Sequence, residues 1–347
     1  MRKIIYILVF TLGVCGYYAI ACASTPNEPD TPPPRAEIRT LPELKNAYGI
    51  DLSVYIYKRT LDQYAGKTTE LAKVIVDFGF TDVYLNFGRC QIPCDPDLAN
   101  YIRKLISALS AHQIKVHALA FTEINPIGDE QQETLEVLAD FQAASAPNER
   151  FAGINFDIEP HIMRQNRDNW KKVSDKYGLQ HIDWQSDNGY GKDGVNSKVM
   201  QFVLDQIGQI RQKTVDNNYI YSQALGHFFE DRYQDGNLSA GSVNDFLEVC
   251  DHVIIMNYTD DTNRLIKFSM AEFTNANKPG SVEIAVKTAD NGVGDLSTTF
   301  ADEDWDTMME ALVALCEAAK PYSTFKGVSI FELQSFEELW KERNHNK

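Results

Sequence analysis

Between Phe151 and Pro160 the chain reads Phe-Ala-Gly-Ile-Asn-Phe-Asp-Ile-Glu-Pro, and its alternation separates two chemistries. In an extended strand successive side chains face opposite ways, so Asn155, Asp157 and Glu159 share one face and Ile154, Phe156 and Ile158 the other. A row of polar groups in an otherwise apolar strand is costly unless it is paired or opens on a solvated cavity. Neighbouring carboxylates in a shielded site resist double ionisation, so one keeps a proton near neutral pH and can donate it. Glu159, at the strand's end, is the expected proton donor, with Asp157 as its partner. Asn155, deeper in the row, is neutral and removes one charge from the stack, which retunes the pair. Pro160 closes the strand because it has no N–H for a ladder.

Such a row needs a scaffold, and the rest of the chain supplies a repeating one. Short β-rich runs fall at Gly49 to Tyr57, Asp82 to Phe87, Val116 to Phe121, Gly153 to Glu159, Tyr219 to Leu225, His252 to Tyr258, Val282 to Lys287 and Gly327 to Leu333. Between them, Thr60 to Phe78, Asp97 to His112, Asp129 to Ala144, Ser197 to Asp216, Val243 to Val249, Leu265 to Phe273 and Asp302 to Ala319 carry helical spacing of apolar residues. Each gap is long enough for the crossover that parallel strands require, and eight alternations fit an α/β fold closed as a (β/α)8 TIM barrel. No second folded domain is expected. In this architecture active sites lie at the C-terminal ends of the strands. Glu159 is at such an end, as are Glu123 after the third strand, Tyr258 and Asp260 at the sixth, and Glu332 on the eighth. The stretch 161–196 after the fourth strand is long for a βα loop and carries Trp170, Tyr177, His181, Trp184 and Tyr190. It reads either as one wall of a cleft or as a small subdomain with its own aromatic core.

The chain has 347 residues and a formal charge of −16, a balance that disfavours nucleic acid and anionic membrane surfaces as partners. Arg2 and Lys3 precede an apolar run from Ile4 to Val14, followed by small residues at Ala19, Ala21, Cys22 and Ala23. This is the pattern of an export signal over residues 1–21. Ala19-Ile20-Ala21-Cys22 resembles a bacterial lipobox, which implies lipidation at Cys22 as the first mature residue and a place in the cell envelope, with secretion if the cysteine stays unmodified. Any membrane contact is expected through that anchor alone. Residues 22–44, with the triplet Pro32-Pro33-Pro34, read as an extended tether ahead of a barrel at 45–347. In an exported protein Cys90 and Cys94 are spaced to close a small disulfide loop, whereas Cys250 and Cys316 sit in apolar contexts and read as buried thiols. Neither a metal nor a cofactor is expected, and the barrel is expected to act as a monomer.

The stretch from Ala152 to Glu159 resembles the fourth-strand signature of glycoside hydrolase family 18, Asp-Gly-x-Asp-x-Asp-x-Glu. Gly153, Asp157 and Glu159 match it, while Ala152 and Asn155 stand where that family has Asp. Met256-Asn257-Tyr258-Thr259 resembles the family's Met-x-Tyr-Asp, with Thr259 in place of the Asp and Asp260 one position later. Phe331, in Gly327 to Glu332, stands where the family offers Trp. Lys115 to Thr122 lacks the family's Ser-x-Gly-Gly. The resemblance implies hydrolysis of β-linked N-acetylglucosaminides in which the sugar's own acetamide attacks the anomeric carbon, an exception to the two-carboxylate scheme. It implies that Glu159 protonates the leaving oxygen and later activates water. It further implies that Asp157 orients the acetamide and stabilises the oxazolinium intermediate, and that Tyr258 donates a hydrogen bond to the acetamide oxygen. Asn155, Asn257, Asp260, Phe331, Glu332 and Glu123 are the expected contacts to an oligosaccharide substrate.

Two rival readings use the same residues. In one, Glu159 is acid/base and Glu332, Glu123 or Asp260 is a carboxylate nucleophile, an arrangement that needs the two groups about 5–5.5 Å apart. In the other, the changes at Ala152, Asn155 and Thr259 leave a carbohydrate-binding barrel with its chemistry impaired. Among single residues, His117 reads as a hydrogen-bonded barrel histidine and Asp302-Glu303-Asp304 as a helix start, where acidic groups meet the helix dipole favourably.

Overall fold

The computed structural model describes residues 38–87, 95–122, 129–161, 195–290 and 296–345. The expectations for residues 1–37, including Cys22, for Cys90 and Cys94, for Glu123, and for 162–194 of the insertion fall outside the described residues.

Eight strands close into a parallel barrel in sequence order. They are β1 (Asp51–Ile56), β2 (Asp82–Asn86), β3 (Lys115–Thr122), β4 (Gly153–Asp157), β5 (Ile220–Gly226), β6 (His252–Met256), β7 (Val282–Lys287) and β8 (Phe325–Phe331). β8 returns to β1 with Ser329 opposite Ser53 and completes the ring. The helices are α1 (Leu41–Tyr48), α2 (Lys58–Gln63), α3 (Thr68–Asp77), α4 (Pro96–Ser110), α5 (Asp129–Ala143), α6 (Val195–Lys213), α7 (Phe228–Gln234), α8 (Val243–Val249), α9 (Thr262–Asn275), α10 (Trp305–Ala319) and α11 (Leu333–His345).

Alternation along each strand divides the interior in two. Val54, Ile56, Val83, Leu85, Ile154, Phe156, Ile284 and Val286 belong to the large core under the helices. Tyr55, Tyr84, Leu119, Ile254 and Ala285 form a second, smaller cluster. Their positions alternate with the first set, which puts them in the lumen. Helix starts are fixed by side chains that satisfy the first free N–H groups. Ser242 and Asp245 make a capping box at α8, Asp95 accepts from Asp97 and Leu98 at α4, and Asp304 accepts from the Thr307 N–H at 2.7 Å. The acidic run before Trp305 is thus a helix start. Cys250 and Cys316 are buried free thiols.

Several boundaries differ from the sequence expectation. The compact barrel unit begins at Ile38, so the stretch assigned to a tether as far as residue 44 is already part of the fold. Leu41 and Leu44 are fully buried, and Thr40 and Glu43 cap α1 reciprocally. Thr60 to Phe78 is two helices, broken where Gly66 takes a φ of 74° that a side chain would resist. Leu333 is not the end of a strand. It starts α11 and is buried in the core.

Candidate active site

β4 ends at Asp157, two residues short of the expected limit, because the ladder runs out there. Asp157 pairs with Thr122 on β3, but the last partner on β5 is Gln223, opposite Phe156. Beyond that point a side chain does the work of a strand: Gln223 Nε2 donates to the Ile158 carbonyl at 3.0 Å. Glu159 therefore stands on a tethered extension just above the strand, with Pro160 behind it. Its side chain is 24% exposed.

Below it the row descends into the lumen. Asn155 is fully buried, and its Nδ2 donates to Ser222 Oγ on β5 at 2.8 Å. This position lies beneath Asp157 and out of reach of a ligand at the rim, so Asn155 supports the row rather than touching substrate. One step deeper, a Cβ on Gly153 would sit 2.2 Å from the Ile220 carbonyl and 2.4 Å from His117 Nδ1. Glycine is required there by the closeness of β5 and of the His117 ring.

Asp157 is half-buried, and its charge acts on three phenols. Tyr55, Tyr57 and Tyr258 are all held well above the ordinary tyrosine range, first by burial and next by Asp157. Glu159 adds to the effect on Tyr57 and Tyr258. The ends of strands 1, 4 and 6 thus bring two carboxylates and the Tyr57 and Tyr258 hydroxyls to one region of the C-terminal rim, with Tyr55 buried beneath. Phe331, at the end of β8, closes the group. Its ring centroid lies 5.7 Å from Tyr258, 5.5 Å from Tyr57 and 5.9 Å from Tyr55. The Phe331–Glu332 peptide bond is cis. An aromatic floor beside paired acids suits a sugar ring, whose C–H faces pack on aromatic surfaces while its hydroxyls meet carboxylates.

The other expected contacts lie elsewhere. Asn257 is fully buried, and its Nδ2 donates to the Leu265 carbonyl at 2.8 Å and to Ser269 Oγ at 3.0 Å. Its amide is committed to α9, so it does not face the cleft. Asp260 is half-buried on the loop after β6, where its N–H donates to the Ser297 carbonyl at 3.3 Å. Thr259 is buried and accepts from the Asp261 N–H, and Asp261 in turn caps α9. Glu332 lines a polar pocket of ≈ 200 Å³ with Arg59, Thr288, Ser335 and Glu338, and its charge also acts on Tyr57. Burial raises its carboxyl above the usual range and Arg59 partly offsets this. None of Asp157, Glu159 and Tyr258 lines that pocket.

Sequence reasoning passed over Tyr55, Tyr57 and Gln223. The first two carried a signal, since Ser53, Tyr55 and Tyr57 alternate with Val54 and Ile56 just as the β4 row does.

The architecture, with acids at its C-terminal rim, is that of a (β/α)8 TIM barrel. No protein-family model matches the chain, and no curated protein matches it in sequence. Solved structures do match in fold. The chain is similar to a GH18 chitinase from Pseudoalteromonas aurantia, at 11% identity and a TM-score of 0.51, covering 85% of this chain and 99% of that one. It is also similar to the PgaB (BpsB) glycoside hydrolase domain from Bordetella bronchiseptica, at 12% identity and a TM-score of 0.52, covering 85% and 97%. At these identities the likeness is one of fold.

Proposed function

We propose that this chain is a glycosidase that cleaves β-linked N-acetylglucosamine-containing glycans with help from the substrate's own acetamide. The observation that carries the reading is the convergence of Asp157, Glu159 and Tyr258 at the C-terminal rim, where both carboxylates act on the Tyr258 phenol. The acetamide oxygen attacks the anomeric carbon as the glycosidic C–O bond breaks, and Glu159 gives its proton to the leaving oxygen. Asp157 holds the acetamide N–H and balances the oxazolinium charge, and Tyr258 donates to the acetamide oxygen. Water then opens the oxazolinium at the anomeric carbon while Glu159 takes back a proton. Phe331 and Tyr57 supply the floor, with Tyr55 buried beneath them. The barrel is further proposed to be exported and anchored through Cys22, where soluble glycans and their fragments would reach it.

A specific observation favours a second reading, a barrel that binds glycans without turnover: the buried Asn155–Ser222 pair replaces an ionisable group beneath Asp157. Hydrolysis of N-acetylglucosamine oligomers, followed by chromatography of the products, separates the two. Turnover by the wild-type chain and its loss in Glu159→Gln is the expected result, and saturable binding without any product would overturn it.

A further inference from the structure

Directly after the acid, Pro160 and His161 form a short turn that brings an imidazole back toward it. The ring is held edge-on by two residues of α7, Phe228 at 5.3 Å between centroids and Phe229 at 5.8 Å. Phe228 is itself fixed: His227 meets it at 5.7 Å and stacks on Phe268 at 4.6 Å, and the Arg232 guanidinium lies over its ring. With the plane of the imidazole set by these walls, one nitrogen faces the carboxylate. His161 Nε2 lies 3.6 Å from Glu159 Oε1, both side chains being 24% exposed. The other nitrogen, Nδ1, is buried and has no hydrogen-bond partner.

A neutral imidazole carries one N–H, and a buried N–H without an acceptor is a rarer defect than a buried lone pair. The proton therefore belongs on Nε2, aimed at Glu159. Burial, helped by the nearby His227, pulls the His161 pKa down to about 4, so through the neutral range the ring offers a hydrogen bond and not a charge.

We propose that His161 is the positioning residue for the acid, donating its Nε2–H to Glu159 Oε1 and so turning the other carboxyl oxygen toward the glycosidic oxygen. This rests on the reading of Glu159 as acid/base. The bond favours the ionised carboxyl and stabilises the charge that appears on it as the proton leaves. The separation closes to bonding distance with substrate in place, as apo catalytic contacts commonly do. Among the described residues, the other titratable and charged groups around the pair are Asp157, Tyr57 and Tyr258 on the Glu159 side, and His227, Asp231 and Arg232 on the ring side. Substitution at His161 alters none of them.

The test is the pH dependence of kcat/KM on 4-nitrophenyl N,N′-diacetylchitobioside for the wild-type chain, His161→Phe, His161→Gln and Glu159→Gln. It is paired with a 13C NMR titration of the glutamate carboxyls in which the Glu159 signal is assigned by its loss in Glu159→Gln. His161→Phe should lose about tenfold in kcat with KM little changed, and its high-pH limb and the Glu159 titration should both move up by about one pH unit. His161→Gln, which restores a donor, should bring both back. A Glu159 titration that stays put in both variants, or moves down, overturns the proposal whether or not the substrate is turned over. If the Phe variant fails to fold, His161→Ala takes its place, with the same upward displacement of the Glu159 titration expected and an unmoved titration overturning the proposal. A Glu159→Gln protein that still hydrolyses the substrate instead removes the acid/base reading itself.

Discussion

The two ends of the barrel lumen are both polar, yet they handle charge in opposite ways. At the base Glu283 is wholly enclosed. It accepts from Ser53 Oγ at 2.8 Å and from Tyr84 OH at 3.0 Å, and pairs with Lys326, which also reaches Asp51 at 3.2 Å. Beside it Asp82 Oδ1 meets His117 Nε2 at 2.9 Å, and His252, kept neutral by burial, meets Tyr84 at 3.0 Å. At the rim Asp157 and Glu159 stay partly open to solvent among tyrosines and Phe331. Base charges answer one another, as buried ions must if they are not to be ruinous. Rim charges keep part of their surface open to solution. One lumen thus separates an enclosed polar network from the half-open one proposed to do chemistry, with the Tyr55–Tyr84 layer between, its ring centroids 4.9 Å apart.

That division predicts opposite responses to mutation. Glu159→Gln should lower kcat/KM by about 10³-fold while Tm moves by no more than a few degrees, measured by steady-state kinetics and calorimetry. A comparable loss of Tm would make Glu159 part of the scaffold. Glu283→Ala should do the reverse in kind. Lys326 is left buried without its main partner, and urea unfolding should report a loss of about 3–5 kcal/mol. A loss well under ~1 kcal/mol would mean that the base network adds little. Gly153→Ala links the two ends, because its methyl would collide with the Ile220 carbonyl and His117 and force β4 away from β5. A cost of about 1–3 kcal/mol is expected, with weakened turnover because the acid row moves with the strand. An alanine variant of unchanged stability would show that the strands can part freely.

The smallest effect is a pH signature at the base. Burial alone would raise the Asp82 carboxyl, but the hydrogen bond and charge of His117, with Lys326 and Lys115 beyond, hold it well below the usual carboxylate range. A depressed folded-state pKa contributes stability that is present above the unfolded value of about 3.9 and is lost as pH falls through the folded one. The Tm difference between wild type and Asp82→Asn should therefore be steady from pH 5 upward and shrink below about pH 4. A gap that persists undiminished in acid would assign the pair's contribution to packing rather than charge.

What the sequence disclosed follows the reach of its signals. Each strand announced itself by a local apolar run, and Val282 to Lys287 was placed to the residue. The β4 row was legible because its three polar residues lie within one strand. Of the base network only His117 was legible, as the hydrogen-bonded barrel histidine it is, since Asp82, His117, His252, Glu283 and Lys326 come from five strands and meet only through barrel closure. Gln223 was invisible for a related reason: a glutamine in an apolar strand gives no hint that it will take the Ile158 carbonyl. Asn257 misled because it sits next to Tyr258, and neighbours in an extended segment face opposite ways. The α1 helix was hidden by its nearness to the proline-rich stretch, although Thr40, Pro42 and Glu43 spell a capped start.

The central claim is that Asp157 and Glu159 serve an acetamide nucleophile at the rim, and titration calorimetry with a thiazoline analogue of the N-acetylglucosamine oxazoline tests it most directly. Tight binding to the wild-type chain, weakened at least tenfold in Asp157→Asn, is the expected result. Equal affinity for both proteins, or no binding to either while N-acetylglucosamine oligomers are still hydrolysed, would contradict it.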